Sequence, residues 1–94
     1  MKFEPGTIVA TPAALDALKQ HGQLGQTFLD RHFNGDWGDL CDEDKLANDQ
    51  ALLNDCRLLS SYNLTESRVG SFTKIWIISE CDRSATTILL PCEY

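Results

Sequence analysis

The chain has 94 residues and a formal net charge of −6, with 43 % hydrophobic and 23 % charged residues. That length supports one small core and hence a single domain over residues 1–94, and the balance is that of a soluble globular protein, not a disordered one. The acidity argues against direct nucleic-acid binding, which calls for a basic patch, and no apolar run has the length to span a bilayer.

In chain order, MKFEPGTIVATPAAL has a proline where a signal peptide needs an unbroken apolar stretch, so it reads as mature sequence and a cytoplasmic protein is expected. Thr7-Ile8-Val9-Ala10 is β-prone after the Pro5-Gly6 turn. Thr11-Pro12 is an N-cap followed by proline at the first helical position. The spacing predicts a helix from Pro12 to His21 with Ala14, Leu15 and Leu18 on its inner face and Gly22 as its stop. A second helix is predicted from Gly25 to Phe33, with Phe28, Leu29, His32 and Phe33 facing inward. A third is predicted from Asp42 to Asn54, with Leu46 and Leu53 facing inward beside Ala47 and Ala51.

The pattern then changes to strands. Arg57 to Leu64 is the first, Thr65 to Ser71 a hairpin loop, Phe72 to Ser79 the second, Cys81 to Ser84 a turn, and Ala85 to Leu90 the third, closed by Pro91. Alternation puts Ile75 and Ile77 in the core and Trp76 with Lys74 on the opposite sheet face. The expected class is α+β: N-terminal helices packed on one face of a three- or four-stranded antiparallel sheet that ends in a β-meander. The second face is left to solvent or to a partner.

The richest segment runs from His32 to Asp55. It carries Asp36, Asp39, Asp42, Glu43, Asp44, Asp49 and Asp55 against one lysine, Lys45, and opens with Gly35-Asp36-Trp37-Gly38. Trp37 is expected to tuck into the core, with the flanking glycines permitting the tight backbone. Counted as a calcium-binding EF-hand loop from Asp36, the sixth position is Cys41 and the twelfth Ala47, so that template fails. A looser magnesium or calcium site on Asp36, Asp39 and Asp42 is the remaining metal alternative. Asp39 or Asp42 can cap the third helix, and Asp42, Glu43 and Asp44 suit its positive end. Asp49 and Asp55 gain nothing there and read as a solvated face.

A catalytic reading joins His32 to Asp36 or Asp39 as base and orienting carboxylate, with Ser84, Thr86 or a cysteine as nucleophile. No nucleophile elbow, P-loop or HExxH motif accompanies them, His32 lies on an apolar helix face, and no enzyme is expected. Cys41, Cys56, Cys81 and Cys92 form no CxxC pair, so reduced thiols and no zinc are expected. No cofactor motif is present.

The strings RHFNGDWGDL, ANDQAL, RLLSSY and TKIWIISECDRSATTILLPCEY resemble a family of small bacterial "plasmid-related" proteins carried on plasmids, integrated elements and prophages. The TESRVGS loop is longer than that family's pattern, and Cys41, Cys81 and Cys92 depart from it. The resemblance implies a genomic setting, not a chemistry. Small acidic proteins of mobile elements often resemble anti-CRISPR and other anti-defence inhibitors, whose carboxylates occupy a groove meant for nucleic acid.

Three expectations follow. In the first, Asp36, Asp39, Asp42, Glu43, Asp44, Asp49 and Asp55 bind the basic, nucleic-acid-binding surface of a host protein. In the second, Trp76 anchors a partner as part of a regulatory module. The third is a metal-assisted hydrolase using His32, Asp36 and Asp39. Monomer and homodimer fit the composition equally.

Overall fold

The computed structural model describes residues 2–64 and 74–94. In chain order it contains β1 (Thr7–Ala10), α1 (Pro12–Gln20), α2 (Gly25–Phe33), α3 (Asp42–Leu53), β2 (Leu58–Asn63), β3 (Lys74–Ser79), β4 (Ala85–Leu89) and a 3₁₀ turn (Pro91–Glu93). The expected loop Thr65–Ser71, with Phe72 and Thr73, lies outside the described residues.

The class is α+β. β2, β3 and β4 form the expected antiparallel meander, but the sheet is mixed: the order is β1-β4-β3-β2, and β1 runs parallel to β4. Thr7 donates to the Ser84 carbonyl at one end of that pair and Thr11 to the Ile88 carbonyl at the other, both at 3.0 Å.

Helix ends follow local chemistry. Thr11 Oγ1 accepts the Ala14 N–H at 3.1 Å, and Pro12 occupies the first helical position, where a missing N–H costs nothing. All three helices stop alike, with the second residue past the C-cap bonding back into the last turn: Gln23 to the Leu18 carbonyl, Asp36 to Arg31, Cys56 to Ala51, each at 2.9 Å. The residue between must be left-handed. Gly22 and Gly35 fill that place in α1 and α2, whereas α3 has Asp55 there, at φ 52°.

α1 and α2 cover one sheet face. Ala14, Leu18, Phe28, Leu29 and Phe33 pack against Tyr62, Ile75, Ile77 and Ile88, with Phe3 and Leu90 at the margin. Ile75 and Ile77 are fully buried, as alternation requires, and Trp37 is buried too. Leu15 is not: Ala14, Ala17 and Leu18 centre the buried stripe, and Leu15, about 100° round the helix from Ala14, is 52 % exposed.

α3 departs from the expectation most. Leu46 and Leu53 face solvent at 59 % and 83 % exposure, Ala47 is exposed and Ala51 half-buried, while the one buried side chain of α3 is Asn48. The helix does not lie over the apolar core. It lies along the outer edge of β2, where what needs covering is backbone, and an amide does that better than a leucine.

That edge is closed residue by residue. Asn48 Nδ2 donates to the Leu59 carbonyl and Asn48 Oδ1 accepts the Leu59 N–H at 3.3 Å, so one carboxamide imitates a neighbouring strand. Two residues on, Ser61 donates to the Trp37 carbonyl at 3.2 Å and accepts from the Asp39 N–H at 2.6 Å. Two further, the Asn63 N–H meets Asp39 Oδ2 at 2.7 Å. Gly38 allows the approach: it sits at φ 78°, and a Cβ there would collide with the Ser61 carbonyl and the Tyr62 ring.

Asn48→Ala removes both bonds to Leu59 and reopens part of the edge. Urea unfolding should show a loss of roughly 2 kcal/mol for two part-buried backbone groups left without partners, with faster aggregation on warming. An unchanged midpoint would mean water replaces the amide at no cost.

Candidate protein interface on the acidic segment

The seven acids separate by what their carboxylates touch. Asp36 pairs with Arg31 (Nε to Oδ2, 2.7 Å) and accepts the Gly38 N–H at 3.1 Å. The Arg31 bond is the main cause that holds Asp36 below the usual carboxylate range. Its backbone carbonyl takes the Tyr62 hydroxyl at 2.6 Å, and burial pushes that phenol up to about 12. Arg31 also lies over the Tyr62 ring, 4.8 Å from its centroid. Asp39 is committed to Asn63 and so does not cap α3, whose N-cap is Cys41 with no side-chain bond. Asp49, expected on a solvated face, is exposed but accepts the Trp37 indole Nε1–H at 2.9 Å.

Asp42, Glu43 and Asp44 differ. They form the first turn of α3, all three are exposed, and none has a hydrogen bond or ion pair among the described residues. Asp42, Leu46 and Leu53 follow one another along the side turned from the sheet, with Glu43 and Gln50 beside them. Asp55 lies at the far end of α3, where its charge meets the negative end of the helix dipole and its backbone is left-handed. Of the free acids, Asp42 and Glu43 therefore share the outward side with Leu46 and Leu53, Asp44 lies about 160° round the helix from Leu46, and Asp55 stands just past the other end of a helix roughly 18 Å long.

The hydrolase and metal expectations required His32, Asp36, Asp39 and Asp42 to converge. His32 is fully buried and turns both ring nitrogens elsewhere: Nδ1 to Ser60 Oγ and Nε2 to Ser79 Oγ at 2.9 Å. Among the described residues no group of three or more His, Cys, Asp or Glu comes together that could hold a metal ion. Ser84 is exposed, its N–H bonded to Asp82. Thr86 belongs to the histidine's own chain of hydroxyls.

The direction of that chain is fixed by its end. The Pro5 carbonyl can only accept, so Thr86 donates to it at 2.8 Å. Thr86 has no second proton, so Ser79 donates to Thr86 at 2.9 Å. Ser79 is then spent as a donor, and His32 must give it the Nε2 proton. The Nδ1 lone pair is left to accept from Ser60. Neutral imidazole fits this chain and imidazolium does not. Burial, with the Arg83 cation as a second cause, brings the His32 pKa down to about 4.

On the other sheet face Trp76 is half-buried, its ring edge-on to Tyr94 with centroids 5.7 Å apart. The Tyr94 hydroxyl accepts from Arg57 at 2.8 Å. Ile78 and Leu89 beside Trp76 are buried, so this face is partly covered by the chain itself. Arg83 is a further organising residue that its place in a turn did not suggest. At φ 58°, it donates to the carbonyls of Cys56 (2.7 Å), Glu80 (2.9 Å) and Ala51 (3.5 Å), joining the β3–β4 hairpin to the end of α3.

No family model, curated protein or solved structure matches the chain. No helix among the described residues is long and apolar enough to cross a membrane.

Two outcomes are expected. The unfolded chain binds the His32 proton near pH 6.5, the folded chain only near 4, so stability is full above 6.5 and erodes as pH falls from 6.5 towards 4, by up to roughly 3 kcal/mol. Urea midpoints over that range should fall for the native chain and be flatter for His32→Gln; parallel curves would remove His32 as the cause. Asp55→Gly relieves both the left-handed strain and the charge at the helix end, and should raise the midpoint by about 1 kcal/mol.

Proposed function

We propose that this protein is an inhibitory binding module that presents the outward side of α3 to a basic, nucleic-acid-binding surface on a host protein. The observation that carries the reading is the condition of Asp42, Glu43 and Asp44: exposed, adjacent and without a hydrogen bond or ion pair among the described residues, with Asp42 and Glu43 on the outward side and Asp44 at the same end of the helix, while Asp36, Asp39 and Asp49 in the same segment are each committed internally. Capping accounts for a fraction of a kilocalorie per acid. Three carboxylates on one turn also repel one another, and a basic partner relieves that repulsion on binding. Asp55, held where it costs stability, extends the same field along the helix.

The leucines refine the contact. Leu46 and Leu53 lie about 10 Å apart along the exposed side of the helix, so the partner surface would offer apolar ground between its lysines and arginines. A nucleic-acid mimic that relied on charge alone would have no use for them. The resemblance to plasmid-related proteins suggests the setting, a cytoplasmic defence complex such as a CRISPR or restriction effector. The Trp76 face is the lesser candidate because Tyr94 already packs on it.

The test is phage plating on bacteria that express the chain together with an active CRISPR or restriction system. The native chain should raise plating efficiency. Combined Asp42→Asn, Glu43→Gln and Asp44→Asn substitutions should cut that gain at least tenfold while leaving the unfolding midpoint within about 1 kcal/mol. Asp49→Asn, which keeps an acceptor for Trp37, and Trp76→Phe should retain it. Equal protection by the triple variant would sink the reading, as would the native chain giving no protection in any of the systems.

A further inference from the structure

The two edges of the sheet are treated differently. The order β1-β4-β3-β2 leaves β1 and β2 at its margins. The β2 edge is closed by residues 37–39 and Asn48, whereas β1 has a neighbour on one side only among the described residues. In a parallel pair, alternate residues of a strand bond the neighbour. Thr7 and Thr11 both donate to β4, to the Ser84 and Ile88 carbonyls, so Val9 between them faces β4 as well. Ile8 and Ala10 then turn their N–H and carbonyl groups outward, and no hydrogen bond to these four groups occurs among the described residues. β1 carries no charge, proline or bulge that would blunt such an edge. Its Ile8 and Val9 side chains are 46 % and 44 % exposed.

A row of alternating donors and acceptors is complementary to itself when run antiparallel, so a second copy of β1 fits this edge through a two-fold axis. The ends of the strand select the register. Pairing Ile8 with Ile8 of the second copy sets Ala10 against Gly6, which is left-handed at φ 64° and off the strand line. Pairing Ala10 with Ala10 sets Ile8 against Pro12, which has no N–H to give. The register centred on Val9 satisfies all four outward groups of each copy: Ile8 and Ala10 of one exchange bonds with Ala10 and Ile8 of the other. Val9 then meets its own counterpart across the axis as a non-bonded pair, with Cα atoms about 4.5 Å apart.

We propose that β1 is a self-association edge through which two copies of the chain join their sheets, antiparallel and in register at Val9, into one continuous sheet. The sheet order puts β2, and α3 beside it, at the outer ends of that assembly, so the proposed acidic contact stays open and neither reading depends on the other. Four residues span about 13 Å at 3.3 Å per residue, and their pairing buries much less than the roughly 1,200 Å² of a stable interface. The dimer is therefore weak and concentration-dependent. Each copy carries a net charge of −6, so added salt tightens the pairing, the opposite of its effect on an acidic face bound to a basic partner.

Sedimentation equilibrium of the full chain under reducing conditions, from about 10 μM to about 1 mM, should show monomer passing to dimer and no larger species. Ala10→Pro removes an outward donor and keeps the β1–β4 bonds, since the Ala10 N–H does not face β4. It should weaken dimerisation at least tenfold. Val9→Glu, at an exposed position, sets two like charges across the axis and should do the same. Circular dichroism should show both variants folded. The register is read separately, in a chain whose four exposed cysteines are replaced by serine. There Val9→Cys should cross-link into dimer under mild oxidation at least tenfold faster than Thr7→Cys, whose counterparts stand about 13 Å apart. A monomer at every concentration, oligomers beyond two, a dimer that either folded variant leaves intact, or equal cross-linking rates would each overturn the proposal.

Discussion

The outer edge of β2 must be covered, and the rest of the molecule is arranged around doing so. An edge strand carries unpaired N–H and carbonyl groups that would otherwise pair with another chain. Here residues 37–39 and Asn48 take them at Leu59, Ser61 and Asn63. Gly38 must lack a side chain, Trp37 must anchor the loop, and Asp49 must hold the indole. α3 must then run beside the strand, with its polar Asn48 inward and Leu46 and Leu53 outward. The acidic segment is thus first an edge cover, and only the acids left over from that task are available for a partner.

The polar chain inside the core obeys a similar accounting. His32, Ser60, Ser79 and Thr86 are fully buried, and a buried donor or acceptor without a partner costs more than an ordinary hydrogen bond gains. Each atom has one, in an order set by the Pro5 carbonyl. The chain therefore links the segment before β1 to β4, β3, α2 and β2 through one proton pattern. Phe3 closes over it, its ring edge-on to His32 at 5.3 Å with the Arg83 guanidinium 5.5 Å from its centroid.

Much of the fold was legible because its signals are local. Thr11-Pro12, Gly22 and Asn34-Gly35 act through hydrogen bonds only a few residues long, and the helices end where those residues stand. Alternation placed Ile75 and Ile77 inside because the strand repeat is two. What sequence could not supply was partnership across distance. β1 pairs with β4, more than seventy residues on, and nothing in Thr7–Ala10 selects a parallel neighbour. Patterning gives no reason to bury Asn48, because an amide in a helix ordinarily faces water, and it turns Leu46 and Leu53 inward, because leucines ordinarily do. Both departures share one cause: α3 packs on backbone, not on a core. The bonds of Asp39, and of Asp49, which is exposed as expected, are hidden from sequence for a related reason, since their partners, Asn63 and Trp37, lie 24 and 12 residues away.

This arrangement also bears on how α3 could serve as a contact. A helix held only by apolar packing can roll, since such contacts have no fixed direction. α3 is held by directional bonds, Asn48 to Leu59 near its middle and Arg83 to the Ala51 carbonyl near its end, with Asp49 tied to the buried Trp37. Those bonds fix its rotation, and so fix where Asp42, Glu43, Leu46 and Leu53 point before any partner arrives. Binding then forfeits little backbone or rotational freedom in the helix, which is where preorganised surfaces gain affinity. The same bonds set a limit: the helix cannot re-aim its acids for a differently spaced set of basic groups. A partner that fits should fit through one narrow geometry, with selectivity coming from the edge cover that holds the helix still.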